Sequence, residues 1–72
     1  MIPNNLSRTE IESLIEEWII GKNAERDRAI LRRRLIDGIT FERLAEEFDL
    51  SVRQTKKIVY KGIDILSPHI RA

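Results

Sequence analysis

The 72-residue chain contains no cysteine, and this absence excludes disulfide bonds and thiolate metal sites. No apolar run approaches the roughly 18 residues that a membrane span needs. The chain does not start with a basic stretch followed by apolar residues, as a secretory signal would. It also lacks strand-like alternation, internal repeats and low-complexity linkers. These absences predict a single cytoplasmic domain over residues 1–72, with no membrane partner.

The sequence also lacks any recognisable constellation for catalysis. None of its carboxylates belongs to a pair with a nucleophile, to a metal triad or to a glycine-rich phosphate loop. His69 is the one histidine and has no cysteine near it, so we interpret it as incidental. We therefore expect no enzymatic activity, no catalytic residue, no metal site and no cofactor.

Apolar residues at helical spacing, bounded by capping residues, predict four helices. The predicted helices are Arg8 to Ile20, a second from after Asn23 to Gly38, Phe41 to about Glu47, and Val52 to about Leu66. Ser7 and Glu10 form a capping box at the first helix, and Leu6 and Ile11 a hydrophobic staple. Each helix has one apolar stripe and the connections are short, so the fold class is all-α, a compact four-helix domain. Residues 1–5 and 69–72 are expected to fray.

The most informative segment is Thr40 to Gly62, with the sequence TFERLAEEFDLSVRQTKKIVYKG. It predicts two capped helices joined by a tight turn at Asp49-Leu50, with Ser51 and Gln54 forming a capping box. This is the pattern of a helix-turn-helix over residues 40–66, with residues 52–66 as its recognition helix. On the fourth helix an apolar arc is predicted to be buried: Val52, Thr55, Ile58, Val59, Gly62, Ile63, Ile65 and Leu66. The opposite side, which we name the basic face, consists of Arg53, Gln54, Lys56, Lys57, Tyr60, Lys61 and Asp64.

The net charge of +1 conceals a strong segregation of charge along the chain. Acidic residues exceed basic ones by three over residues 1–21 and again over residues 39–50. Basic residues are in excess by three over residues 22–38 and by four over residues 51–72. Because a local field steers a polyanion more than net charge does, this distribution favours DNA as a partner.

Residues 28–62, about half of the chain, resemble region 4 of bacterial sigma-70-type RNA polymerase sigma factors. The matching residues are Arg28-Ala29-Ile30-Leu31, Gly38-Ile39-Thr40, Leu44-Ala45 and Ser51-Val52-Arg53-Gln54-Thr55-Lys56. Asp49 stands where this family usually has glycine, and Asp tolerates the left-handed conformation that the turn needs. Thr55 stands where the family prefers valine or isoleucine, so its hydroxyl needs a backbone acceptor in the preceding turn. Arg33 and Arg43 replace the family's leucine and glutamate.

The resemblance implies a DNA-binding helix-turn-helix. A chain of this size has no room for the domain that melts the upstream promoter element, so we expect a small transcriptional regulator or a mobile-element accessory protein. Arg53 and Gln54 are candidates for base edges. The candidates for phosphate or mixed contacts are Lys56, Lys57, Lys61, Ser51 and Thr40. The alternative interpretation of the basic face is that it is solvated and binds nothing. The alternative function is a protein-interaction module that docks on RNA polymerase or another protein.

Two further features of the sequence leave alternatives open. The run Arg32-Arg33-Arg34 is either a helix end neutralised by Glu46 or Glu47, or an extension of the phosphate-binding surface. Trp18 belongs either to the core or, with Ile15 and Ile19, to an interface with a second copy of the chain or another partner.

Overall fold

The computed structural model describes residues 7–70, and within this range all regular structure is helical. The elements are α1 (Arg8–Trp18), α2 (Ala24–Leu35), α3 (Phe41–Glu47), α4 (Val52–Leu66) and a 3-10 turn (Ser67–His69). The predicted all-α, four-helix class is confirmed. None of the helices described is long and apolar enough to cross a membrane.

The starts of α1, α3 and α4 have the predicted side-chain caps, whereas Asn23 before α2 makes no side-chain capping bond. At α1, Ser7 Oγ accepts from the Glu10 amide at 3.1 Å and the Ser7 amide donates to Glu10 Oε1 at 3.2 Å. Ser51 and Gln54 repeat this arrangement at α4, with both distances 3.0 Å. These reciprocal bonds satisfy amides that a helix start would otherwise leave unpaired, which explains why the predicted starts agree with the structure. Leu6 of the predicted staple lies outside the described residues.

The first two helices end before the predicted positions. α1 ends at Trp18 rather than Ile20, because Ile19 is already extended, with φ −89° and ψ 95°. α2 ends at Leu35 rather than Gly38, and the amides of Ile36 and Asp37 both donate to Arg32 O. The glycines that suggested the later ends lie beyond the helices at positive φ, 118° at Gly21 and 70° at Gly38. A glycine stop therefore marks the reversal of the chain, one or more residues past the last helical turn.

All four helices contribute to one apolar core. Its fully or nearly fully buried members are Ile11, Ile15, Ile19, Ile30, Leu31, Leu44, Val59 and Leu66. Thr55 is the buried polar residue of the described chain, and its Oγ1 donates to Ser51 O at 2.9 Å. The bond that the sequence required of Thr55 is confirmed, and it lets a hydroxyl be buried without an unpaired donor.

The end of the described chain is ordered against α1, so the prediction that residues 69–70 fray is wrong. After α4, Ser67 Oγ donates to Ile63 O at 2.7 Å and the Ile70 amide donates to Ser67 O at 3.2 Å. This 3-10 turn brings the His69 ring parallel to Trp18, with ring centroids 3.6 Å apart and planes 4° from parallel. Ile70 packs on the core. Stacking and apolar burial explain the order, and neither could be inferred from a lone histidine near a chain end.

Trp18 itself is not a core residue. Its side chain is 38% exposed, whereas Ile15 and Ile19 are buried inside the domain. Of the three residues considered for an interface, only Trp18 is therefore available to a partner, and Ile20, two positions further along the chain, is exposed as well.

Candidate nucleic-acid interface

The turn between α3 and α4 consists of Phe48, Asp49 and Leu50 and is fixed by backbone hydrogen bonds. The Leu50 amide donates to Ala45 O at 2.8 Å and the Asp49 amide donates to Glu46 O at 3.3 Å. Asp49 has φ 55°, so this is a Schellman motif with aspartate in the left-handed position. The conformation predicted for Asp49 is confirmed. Ala45 is buried, as expected for a small residue where two helices approach.

α4 is attached to the rest of the domain by its apolar side. Thr55, Val59, Gly62 and Leu66 are buried there, one after another along the helix. A Cβ atom placed on Gly62 would lie 2.5 Å from Leu31 Cδ1 and 2.7 Å from Cδ2, so the absence of a side chain permits this approach of α4 to α2. Ile65, at the edge of the predicted arc, departs from the prediction because 38% of it is exposed. The orientation of α4 is thus set by its buried side, and the opposite side faces solvent.

Every residue of the basic face is exposed: Arg53, Gln54, Lys56, Lys57, Tyr60, Lys61 and Asp64. Ion pairs within residues 7–70 join α1, α2, α3 and the α2–α3 connection, and none of them includes a residue of α4. The four cations of α4 are therefore not neutralised by carboxylates of the described chain. Asp64 is the one acidic residue of this helix and lies near its end.

Hydrogen bonds at the helix starts restrict three of the predicted DNA-binding residues. Gln54 Oε1 accepts from the Ser51 amide, which leaves the side-chain Nε2 hydrogens available. A two-bond contact to adenine needs both the oxygen and the nitrogen, so the oxygen must either accept a second hydrogen bond or give up its bond to the Ser51 amide. The hydroxyls of Ser51 and Thr40 accept from the amides of Gln54 and Arg43 at 3.0 and 3.2 Å, and their hydrogens remain free to donate.

The structure divides the arginine run into two kinds of residue. Arg32 donates to Glu16 of α1. Arg33 makes a two-bond contact with Glu47 of α3, from Nε at 2.9 Å and from Nη2 at 2.6 Å, and a weaker contact with Asp37. Hydrogen bonds from Arg33 lower the pKa of Glu47 and, in return, raise that of Arg33. The prediction that an α3 carboxylate neutralises the run is confirmed for Arg33.

Arg34 has a different environment from its two neighbours. Its Nη1 donates to Ile39 O at 3.1 Å, and its Cζ lies 4.2 Å from the centroid of the Phe41 ring. The Lys56 Nζ lies 5.6 Å from the same centroid, and the Tyr60 ring meets Phe41 edge-on at 5.9 Å. Phe41 therefore joins α2, α3 and α4 beside the basic face. No sequence pattern indicated this cluster, because its members are spread over 27 positions and share no spacing.

Within residues 7–70 no group of three or more histidine, aspartate or glutamate side chains is arranged to hold a metal ion.

Comparison of the chain with protein-family models, with curated proteins and with solved structures gave no match. The resemblance to sigma-70 region 4 therefore stays a prediction, and the function has to be inferred from the surface that this chain presents.

Proposed function

We propose that this protein binds double-stranded DNA sequence-specifically, with α3, the turn and α4 acting as a helix-turn-helix. It would act as a transcriptional regulator or as an accessory protein of a mobile element. The observation that carries the proposal is the division of α4 into a buried side and an exposed side with Arg53, Lys56, Lys57 and Lys61 unpaired within residues 7–70. The proposed function is not catalytic, needs no cofactor and is exercised in the cytoplasm.

In this mechanism α4 enters the major groove, which is about 12 Å wide and admits one helix. Arg53 lies in the first turn of α4, where a recognition helix meets base edges, and its guanidinium suits guanine O6 and N7. Gln54 would contribute its Nε2 hydrogens to a base acceptor while its oxygen keeps the cap. Lys56, Lys57 and Lys61 would neutralise phosphates, and the hydroxyls of Ser51 and Thr40 would donate to phosphate oxygens.

One module of this size makes few phosphate contacts, so binding by a single copy should be weak and salt-sensitive. A homodimer on a two-fold DNA site, or simultaneous docking on RNA polymerase, would supply the missing affinity.

A second candidate function is favoured by the exposed apolar residues at the end of α1. Trp18 is 38% exposed and Ile20 is 74% exposed, next to the acidic Glu16 and Glu17. An exposed aromatic beside an aliphatic residue is typical of protein contacts. The alternative is therefore a protein-interaction module that docks on RNA polymerase or another protein through this surface.

The test is fluorescence anisotropy with a mixed-sequence DNA duplex over a series of salt concentrations. We expect affinity to fall steeply with salt for the wild type, and to be lost at moderate salt in the double variant Arg53→Ala/Lys57→Ala. The charge-matched control is Lys22→Ala/Arg26→Ala, which removes two exposed cations outside the basic face: Lys22 in the turn before α2 and Arg26, paired with Asp27, in its first turn. The control should bind almost as the wild type does.

Absence of binding at low salt and micromolar protein would refute the proposal. Equal losses in the two double variants would also count against it, because the effect would then come from net charge and not from the α4 surface. Circular dichroism of each variant verifies that the fold is intact.

A further inference from the structure

Arg34 is the member of the arginine run whose charge has no carboxylate partner within residues 7–70. Arg32 is paired with Glu16 and Arg33 with Glu47 and Asp37, whereas Arg34 donates to the neutral carbonyl of Ile39. Arg34 is half-buried, and a guanidinium that lies over an aromatic ring without a counter-ion keeps its charge available to an external anion.

A second cation approaches the same ring. Arg34 Cζ and Lys56 Nζ lie 4.2 and 5.6 Å from the Phe41 centroid, so the two charged groups are less than 10 Å apart. Since this upper limit does not exceed the Debye length of about 10 Å at 0.1 M salt, screening leaves part of the repulsion between the two groups. An anion bound beside Phe41 would relieve this repulsion.

The remaining donors of Arg34 are suited to such an anion. Nη1 is committed to Ile39 O, which fixes the plane of the guanidinium, and the Phe41 ring supports that plane. The N–H donors on Nε and Nη2 remain available. They lie side by side on one edge of the guanidinium and can bind a phosphate with two parallel hydrogen bonds. Lys56 belongs to the basic face, so the site is continuous with the proposed DNA surface.

We propose that Arg34 and Lys56, positioned by Phe41, form a binding site for backbone phosphate at the edge of the basic face. This inference rests on the proposed DNA-binding function and adds a contact from α2, outside the α3–turn–α4 unit. The site takes one phosphate or two adjacent phosphates of a strand that passes over the start of α3. Arg32 and Arg33 take no part, because their guanidinium groups are bound to carboxylates.

The experiment compares the salt dependence of DNA binding for the wild type, Arg34→Gln, Arg34→Lys and Arg32→Gln. Loss of one phosphate contact lowers the slope of log affinity against log salt by about 0.9. The ratio of wild-type to Arg34→Gln affinity should therefore shrink about 3.5-fold when salt rises from about 50 to about 200 mM. Arg34→Lys keeps the charge and should keep most of the slope, and Arg32→Gln should match the wild type.

If the wild type does not bind DNA, the proposed function itself fails. If the wild type binds and Arg53→Ala/Lys57→Ala weakens it, an unchanged slope in Arg34→Gln overturns this inference alone. Equal slope losses in Arg34→Gln and Arg32→Gln would overturn it as well.

Because Arg34→Gln also removes a bond to Ile39, a measurement on the unmodified protein is needed beside it. In nuclear magnetic resonance spectra of the wild type, the Nε–H signal of Arg34 should shift on addition of duplex DNA, while that of Arg32 stays. A stationary Arg34 signal together with a shifted Arg53 signal contradicts the proposed site.

Discussion

Replacing Gly62 by alanine tests how α4 is held against α2. In an exposed helix this change stabilises by about 1 kcal/mol, because alanine has the higher helix propensity. Here the added Cβ would lie 2.5 and 2.7 Å from the two terminal carbons of Leu31 and 3.1 Å from its Cγ. Leu31 is fully buried, so moving its side chain away from the added methyl group disturbs the core packing around it.

The expected magnitude follows from these two opposing effects. Forcing an extra methyl group into a packed core costs about 1–3 kcal/mol. The helix-propensity gain of about 1 kcal/mol offsets part of this packing cost. Gly62→Ala should therefore lower the free energy of unfolding by about 1 kcal/mol. For a domain of this size that corresponds to a fall of about 4–8 °C in the thermal midpoint.

In a Leu31→Ala background, Gly62→Ala is expected to stabilise the protein and not to destabilise it. Leu31→Ala alone should cost about 2–5 kcal/mol, since it leaves a cavity in the core. In that background the Gly62→Ala methyl group has room, fills part of the cavity and keeps its helix-propensity advantage. Gly62→Ala should then stabilise the protein by about 1–2 kcal/mol, from propensity and one buried carbon together.

Urea unfolding followed by circular dichroism gives the four free energies of this double-mutant cycle. If Leu31→Ala leaves too little folded protein, Leu31→Val provides a milder cavity for the same comparison. Stabilisation by Gly62→Ala in the wild-type background, or equal destabilisation in both backgrounds, would show that α4 does not approach α2 through Gly62.

Three other changes test the turn, the ion pair and the stacked rings. Asp49→Gly should stabilise the fold by about 0.5–1 kcal/mol, because glycine adopts φ 55° without the left-handed penalty; a lower thermal midpoint would contradict this. Glu47→Gln should destabilise the protein above about pH 4.5, and the difference from the wild type should fade as pH drops through the carboxyl pKa that Arg33 lowers; a difference that persists at about pH 2 would refute the ion-pair origin. His69→Ala should increase iodide quenching of Trp18 fluorescence, since the stacked imidazole covers one face of the indole; unchanged quenching would argue against the stack.

The α3–turn–α4 unit was predictable because its determinants are local in sequence. Ser51 and Gln54, which form the capping box, are three residues apart, and Thr55 donates to the carbonyl four residues before it. Asp49 has its left-handed conformation within the turn that backbone hydrogen bonds close. Each interaction lies within one helical turn, so residue type and spacing are enough to indicate it. The bounds of α3 and α4 agree with the prediction for this reason.

The features that sequence could not supply all depend on contacts between distant positions. Arg32 and Arg34 are two residues apart, yet one is paired with Glu16 of α1 and the other lies over Phe41 of α3. Trp18 meets His69 from the opposite end of the described chain. The packing of the helices decides which of several possible partners a long side chain contacts. This packing cannot be inferred from the spacing of residues in one sequence.

The charge pattern of α4 also weighs against the view that its basic face serves solubility alone. A soluble surface needs charge, but mixed signs provide it as well as one sign does. α1 and α3 carry carboxylates that pair with arginines of α2, as Glu16 does with Arg32 and Glu47 with Arg33. α4 carries four cations, and within residues 7–70 none of them is in an ion pair. Like charges on neighbouring helical turns repel, so this arrangement lowers the stability of the free protein. A bound polyanion would neutralise the cations and remove the repulsion.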